Sequence, residues 1–279
     1  NQFLQHIREV DVIAEVVRVY EDSNIAHVSG RIDPIDDIET INLELVLSDL
    51  QTVSKRMASL ARDVKRGDKA AVAENMILLK LEEILKAGQM VSSHLAMFMH
   101  SQERENAANV LKNLHLLSAK PILYVLNKKH GGQMIETKPT EDFITKLGAK
   151  FVVVDAKIEG ELSELEIDDR AEFKQGLGVE DDGVNDLIKA SYELLGLETY
   201  FTTGPDETRA WTIKKGSTAP EAGLAIHTDF KEKFIRAEVV FWQDLLEAGS
   251  YAAAREKGLV RTEGKEYVVK DGDVIEFKI

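Results

Sequence analysis

The stretch YVLNKKHGG, residues 124–132, carries side chains that could bind an aromatic base. Its apolar start predicts a buried strand, and that strand ends in Asn127 and Lys128. An Asn side chain offers one acceptor and two donors, so Asn127 could pair with a base edge and a neighbouring loop together. The aliphatic stem of Lys128 could lie across the face of the same base.

His130 stands at the position that would decide which base is read. GTP-binding domains commonly place Asn-Lys-x-Asp at such a strand end, and the Asp accepts from two guanine donors. A neutral His cannot accept from both donors at once. The motif therefore predicts a nucleotide-base site without guanine selectivity, and the alternative is an ordinary turn after a strand.

A second short motif, Asp155-Ala156-Lys157, follows the next predicted strand along the chain. It is similar to the Ser-Ala-Lys loop that packs against the base in the same architecture, although a plain turn between a strand and a helix is the alternative. In α/β sheets ligands bind at the carboxyl ends of the strands. Both motifs lie at such ends, so the two support each other.

The elements that must position these motifs are three short apolar strands, predicted at residues 11–20, 121–127 and 150–156. Unbroken apolar runs are typical of strands that are covered on both faces. Helical patterns separate and follow them, notably at residues 184–195. This alternation predicts an α/β domain with a parallel sheet.

A long insertion separates the first two strands. Its apolar residues recur every three or four positions, which predicts a coiled-coil seam. The seam residues are Leu43, Val46, Leu50, Val53, Met57, Leu60 and Val64. Gly67 and Asp68 then predict a helix end and a new helix start, and a second apolar face follows at Ala70, Ala73, Ile77, Leu81 and Ile84. The interpretation is an antiparallel helical hairpin, either a spacer or a partner-binding arm, and a third helix is predicted near residues 101–117.

The composition changes near Glu198. Two alternating segments, ETYFTTG and ETRAWTI, predict a hairpin, and FIRAEVVF predicts a further strand. One helix is predicted over residues 242–257, and a turn at Asp271-Gly272. Together these features predict a small, separate α+β domain.

The composition excludes several function classes. The chain has 279 residues, no Cys and a net charge of −14, so thiolate chemistry is absent and a reducing compartment is favoured. The acidic balance does not favour free nucleic acid as a partner of the whole chain. No apolar run has the length of a membrane span, and the His residues lack metal-ligand spacing. The sequence contains no G-x-x-x-x-G-K-[ST], the motif that cradles nucleotide phosphates.

Long ordered strings along the whole chain resemble the YchF family, which are Obg-like P-loop ATPases of the TRAFAC GTPase class, also called EngD. The strings that carry the resemblance are NQFLQHIREVD, NIAHVSGRIDPIDDIETINLELVLSDL, YFTTG, ETRAWTIKKGSTAPEAGLAIHTDFKEKFIRAEVV and EGKEYVVKDGDVIEFKI.

The resemblance implies three parts. Residues 1–44 and 118–197 would form a P-loop-type G domain, residues 45–117 a coiled-coil insertion, and residues 198–279 a TGS domain with a β-grasp fold. In this family the phosphate-binding and switch motifs precede the segment that matches Asn1. The expectation is therefore that these motifs lie outside the printed sequence, and that the printed chain alone does not hydrolyse nucleotides.

The resemblance also implies the function. Family members hydrolyse ATP, often in preference to GTP, with Mg²⁺, and associate with ribosomes. A cytoplasmic protein is expected, with ATP or GTP and the ribosome or its RNA as partners, and neither a membrane nor sequence-specific DNA. The base site would comprise Asn127, Lys128, His130, Asp155, Ala156 and Lys157, but the family pattern is Asn-x-x-Glu, which His130 does not match. The alternative function is a non-enzymatic ribosome- or RNA-binding fragment that acts through the TGS domain and the helical arm.

Overall fold

The computed structural model of the protein describes residues 2–22, 24–27, 30–99, 104–178, 183–204 and 206–279. The chain folds into two compact units, Asn1–Ser191 and Tyr192–Ile279. Each unit has its own sheet and its own hydrophobic core.

The first unit contains a three-stranded parallel sheet in the order β1-β3-β5. Its strands are β1 (Ile13–Arg18), β3 (Ile122–Asn127) and β5 (Lys150–Val154), and a separate antiparallel pair joins β2 (Tyr20–Glu21) to β4 (Gln133–Met134). All three predicted strands are thus confirmed, and so is their parallel arrangement. The central strand β3 is buried on both faces along most of its length, which explains its unbroken apolar sequence.

Helices make up the rest of the first unit. They are α1 (Gln2–Ile7), α2 (Pro34–Lys65), α3 (Lys69–Lys86), α4 (Leu95–Met99), α5 (Arg104–Leu114), α6 (Lys138–Lys146), α7 (Ala156–Ser163), α8 (Ile167–Leu177) and α9 (Gly183–Leu195), with a 3-10 helix at Val91–His94. The predicted helix at residues 184–195 is confirmed as α9, within which the division between the units falls.

Helix α2 belongs to two hydrophobic cores in succession. Ile38 and Leu45 pack with the parallel sheet, whereas Val46 and Val53 begin a second core shared with α3 and α5. The predicted helical hairpin is therefore confirmed, but its seam begins later than expected. Leu43 is 49% exposed, because the face of α2 that contacts the sheet differs from the face that contacts α3.

The turn between α2 and α3 has the predicted chemistry. Gly67 adopts a positive φ of 78° directly after the end of α2, a conformation that costs glycine little. The Asp68 side chain then accepts from the N–H of Ala71 at 2.8 Å and caps α3. The third helix of the arm is α5, which ends at Leu114 rather than at residue 117. The first predicted residues of that helix, 101–103, lie outside the described residues.

The second unit contains a five-stranded mixed sheet in the order β7-β6-β10-β8-β9. Its elements are β6 (Leu197–Thr203), β7 (Thr208–Lys214), α10 (Ala219–Gly223), α11 (Thr228–Glu232), β8 (Arg236–Phe241), α12 (Trp242–Ala248), α13 (Tyr251–Glu256), β9 (Arg261–Glu263) and β10 (Asp273–Lys278). The central pair β10 and β6 is parallel, and the other pairs are antiparallel. The predicted hairpin and the strand near residue 236 are confirmed.

The single helix predicted over residues 242–257 is wrong, because the chain breaks it in two. Gly249 ends α12 in the left-handed conformation, and the Ser250 hydroxyl accepts from the N–H of Ala253 to start α13. A Gly-Ser pair inside an apolar pattern can continue a helix or end it, and here both residues act as caps.

Candidate functional site

The site is built on the carboxyl ends of β3 and β5. Asn127 is the last residue of β3, and it pairs in the parallel ladder with Val154, the last residue of β5. Asp155 follows directly and caps α7. The register alone therefore places the two predicted motifs side by side.

Direct hydrogen bonds join the two loops. The side-chain oxygen of Asn127 accepts from the backbone N–H of Ala156 at 3.1 Å, and the N–H of Lys128 donates to the carbonyl of Val154 at 2.8 Å. The side-chain NH₂ of Asn127 has no hydrogen-bond partner among the described residues. The side-chain oxygen of Asn127 thus holds the neighbouring loop, and its two N–H donors remain available.

The Asp155 carboxylate accepts hydrogen bonds from backbone N–H groups of both loops. One oxygen accepts from the N–H of His130 at 2.6 Å, and the other accepts from the N–H groups of Lys157 and Ile158 at 3.1 Å each. Asp155 is only 5% exposed. With its oxygens taken up by backbone amides, its role in the geometry is to position the loops.

An ion pair that the sequence did not reveal joins the loop after β3 to the segment after β2. The ammonium of Lys129 contacts the carboxylate of Asp22, and the hydrogen bond from Lys129 lowers the pKa of that carboxyl. The nearby pairing of β2 with β4 brings the two chain segments together. No local pattern could have indicated this pair, because its members are far apart in sequence.

Three of the six predicted residues present exposed side chains around this junction, namely His130, Ala156 and Lys157. Asn127 and Lys128 are half-buried. Lys157 also pairs with Glu161 of α7 at 3.6 Å. The structure therefore brings all six residues into one cluster, which offers amide and ammonium donors and a half-buried apolar stem but no nucleophile with an adjacent base.

A second cluster of titratable groups lies between β1 and α2, beside a groove of about 730 Å³. Burial raises the pKa of the Glu15 carboxyl to about 8, and the nearby Asp37 carboxylate acts in the same direction. One carboxyl oxygen of Glu15 is buried without a partner among the described residues, whereas Asp37 contacts His27 at 3.0 Å. No motif in the sequence indicated this cluster.

In the part of the chain that the structure describes, no group of three or more His, Asp or Glu side chains is arranged to hold a metal ion. Within the same residues, no helix is long and apolar enough to cross a membrane.

The sheets and helices of both units define a mixed α/β protein. This fold is similar to that of the protein in "Structure of the Schizosaccharomyces pombe YchF GTPase". The TM-score is 0.82 at 31% identity, covering 100% of this chain and 75% of the other. A family model named YchF-GTPase_C and described as a protein of unknown function (DUF933) matches residues 197–279.

Curated relatives match along the whole chain. The ribosome-binding ATPase YchF of Bacillus subtilis (strain 168) is 49% identical, and that of Haemophilus influenzae (strain ATCC 51907) is 42% identical. In both cases the match covers 100% of this chain and 75% of the relative. The chain therefore belongs to the YchF family, as the sequence strings indicated.

Proposed function

We propose that the protein binds a purine nucleotide, ATP or GTP, at the carboxyl ends of β3 and β5 and associates with the ribosome as a YchF-type nucleotide hydrolase. The observation that carries the nucleotide site is the bond between the Asn127 side chain and the Ala156 N–H. The relatives named ribosome-binding ATPases support the partner and the reaction. A ribosomal partner also supports a cytoplasmic location.

Each residue of the site has a distinct role in this proposal. The NH₂ of Asn127 donates to a ring nitrogen of the purine, and the stem of Lys128 packs on one face of the base. Ala156 and the backbone of Lys157 form the loop against the opposite side. Asp155 is a positioning residue, because its carboxylate holds the N–H groups of His130 and Lys157.

His130 removes the preference for GTP that an Asp at this position would give. A carboxylate at this position would accept from the two guanine donors, whereas the exposed imidazole offers one acceptor at most when neutral. Recognition then rests on the groups that all purines share, and guanine gains no special advantage over adenine.

We propose that the chain is divided into the three domains that are expected of the YchF family. Residues 1–44 and 118–197 form the nucleotide-binding G domain, and residues 45–117 the helical insertion. Residues 198–279 form a TGS domain with a β-grasp fold, which the mixed sheet with parallel central strands β6 and β10 supports. The arm core around Val53 and Leu81 supports an insertion with its own packing.

Mg²⁺ would bind with the nucleotide phosphates and stabilise the charge that develops during phosphoryl transfer. The described residues include no cluster suited to hold it, and the 279-residue sequence contains no phosphate-cradling motif. The residues present fit the base of the nucleotide, so the role derived for this chain is to bind and orient that base.

The test is a titration of the protein with ATP and GTP, comparing wild type with Asn127→Asp. The Asp keeps an acceptor for the Ala156 N–H but loses the NH₂ donors, so the loops stay joined while the base contact is lost. We expect affinity for both nucleotides to fall about tenfold, which corresponds to about 1.4 kcal/mol. The control Asn113→Ala, at an exposed position on α5, should leave both affinities unchanged. Equal binding by wild type and Asn127→Asp would reject the site.

A further inference from the structure

The last turns of α2, the turn after it and the start of α3 carry a concentration of positive charge in an acidic protein. Between Lys55 and Lys69 lie six Lys or Arg and two Asp, a net charge of +4. The whole chain has a net charge of −14, so the rest of it carries −18. The composition of this acidic chain therefore does not by itself account for a positive surface.

Four of these cations are exposed and have no ion pair with any described residue. They are Lys55, Arg62, Lys65 and Lys69, and we call them the basic tip. The other two cations are engaged, since Arg56 bonds Glu74 at 2.6 Å and Arg66 contacts Asp63 at 3.7 Å. The basic tip therefore consists of the four cations in this segment whose charge no ion pair with a described residue offsets.

The geometry of the arm directs the basic tip away from the packed interior. Val53 and Leu60 are buried in the seam with α3. Lys55 and Arg62 each follow one of these residues by two positions, which is about 200° around a helix, so both lie on the opposite side. Leu45 is the last α2 residue in the sheet core, and the rise of an α-helix puts the turn at Gly67 about 30 Å beyond it.

Helix stability accounts for only part of the basic tip. Arg62 and Lys65 lie in the last turn of α2, where cations interact favourably with the helix dipole. Lys55 lies nearly three turns before the end of α2, where that benefit is absent. Lys69 is the first residue of α3, whose first turn holds no acid, and a cation there is unfavourable. Asp68 caps α3, so helix stability does not explain why Lys69 carries a positive charge.

The surface has the character of a phosphate-binding site more than of a protein interface. Large apolar residues between Lys55 and Lys69 all face the seam, and none of them is an exposed side chain. Protein interfaces usually centre on buried aromatic or apolar anchors, which this surface lacks. Lys and Arg without such anchors are typical of contacts to a nucleic-acid backbone, where released counterions drive binding.

We propose that the basic tip binds the phosphate backbone of ribosomal RNA, with the arm acting as the lever that reaches it. This inference rests on the proposed association with the ribosome and adds the contact surface and its chemistry. Lys55, Arg62, Lys65 and Lys69 each neutralise backbone phosphates, without reading the base sequence.

The experiment measures co-sedimentation of the protein with purified ribosomes across a range of salt concentrations. The tip variant changes all four residues to Gln, which keeps the helix propensity and removes four charges. The matched control removes four exposed charges elsewhere in the first unit, namely Lys80→Gln, Arg104→Gln, Lys112→Gln and Lys146→Gln. Both variants therefore have the same net charge.

We expect the tip variant to bind at least about tenfold more weakly near physiological salt. Its plot of log affinity against log salt should be less steep by roughly one for each lost phosphate contact. The control should resemble wild type in both respects. Circular dichroism of both variants checks that the arm remains helical.

The outcomes separate this inference from the proposed function. If wild type binds ribosomes and the tip variant binds equally well, the inference fails and the ribosomal association stands. A weaker tip variant with an unchanged salt dependence indicates a protein contact, which also overturns the inference. If wild type does not bind ribosomes, the ribosomal part of the proposed function fails together with it.

Discussion

Asn127 and Asp155 divide the work of the proposed base site between a ligand-facing group and a supporting group. The side-chain oxygen of Asn127 accepts from the Ala156 N–H, and its NH₂ is the group proposed to donate to the base. Asp155 uses its carboxylate on three backbone N–H groups. A buried carboxylate that bonds several amides is a strong local anchor, so the loop that carries His130 is held in place before any ligand arrives.

His130 provides a test of base selectivity, because His130→Asp completes the Asn-Lys-x-Asp sequence from Asn127. The new carboxylate would accept from two guanine donors, and hydrogen bonds to a charged group contribute about 1.5–3 kcal/mol. We expect the GTP-to-ATP affinity ratio to rise at least tenfold, measured by competition with a fluorescent nucleotide. His130→Asn, which lacks the charge, should change the ratio little, and an unchanged ratio in the Asp variant would contradict this role.

At the residue scale, the sequence indicated where the site lies but not how its members act. Asn127 and Asp155 were predicted because polar residues at the ends of apolar strands stand out in the sequence. The ion pair of Lys129 with Asp22 was missed, since it depends on the folding of distant segments. Asp155 was predicted to contact the base, and its use as an anchor became visible only with the hydrogen bonds in place. Binding of the base itself remains a prediction for all six residues.

At the scale of elements, β1 and α2 enclose the Glu15 carboxyl. Burial raises its pKa from 4.5 to about 8, so the folded protein keeps this proton at a pH where the unfolded chain has lost it. The contribution of Glu15 to stability is therefore greatest at low pH and falls as the pH rises from about 4.5 to about 8.

The corresponding prediction compares wild type with Glu15→Gln, which cannot ionise. Between pH 5 and pH 8, the free energy of unfolding of wild type should fall by about 3 to 4 kcal/mol relative to that of the variant. Urea denaturation at both pH values measures this difference. Glu39→Gln, at an exposed position on α2, serves as the control and should follow wild type. The same difference between wild type and Glu15→Gln at both pH values would show that the carboxyl is not perturbed.

The sequence predicted those helices and strands whose apolar periodicity is strong. The three parallel strands and the α2–α3 hairpin followed from apolar spacing and from the caps at Gly67 and Asp68. The predicted start of the seam at Leu43 is wrong, because α2 packs first against the sheet and only later against α3. The prediction of a single helix over residues 242–257 is wrong, because the apolar spacing continues across the Gly-Ser pair at which the helix ends.

For the whole molecule, the relatives show the family, and the geometry of the first unit supports the proposed base site. Relatives covering 100% of this chain establish the family, while the first unit supplies a strand-end site and an arm with a basic tip. The sequence alone could not show the basic tip, because the chain is acidic overall and the pairing of Arg56 and Arg66 becomes known only in the fold.

The central claim is that a purine base binds between the loop after β3 and the loop after β5. Photolabelling with 8-azido-ATP, followed by mass spectrometry of the labelled peptides, tests it most directly. We expect label on residues near Asn127–His130 or Asp155–Lys157, and excess ATP should abolish it. Label that falls elsewhere in the chain, or label that ATP does not displace, would contradict the claim.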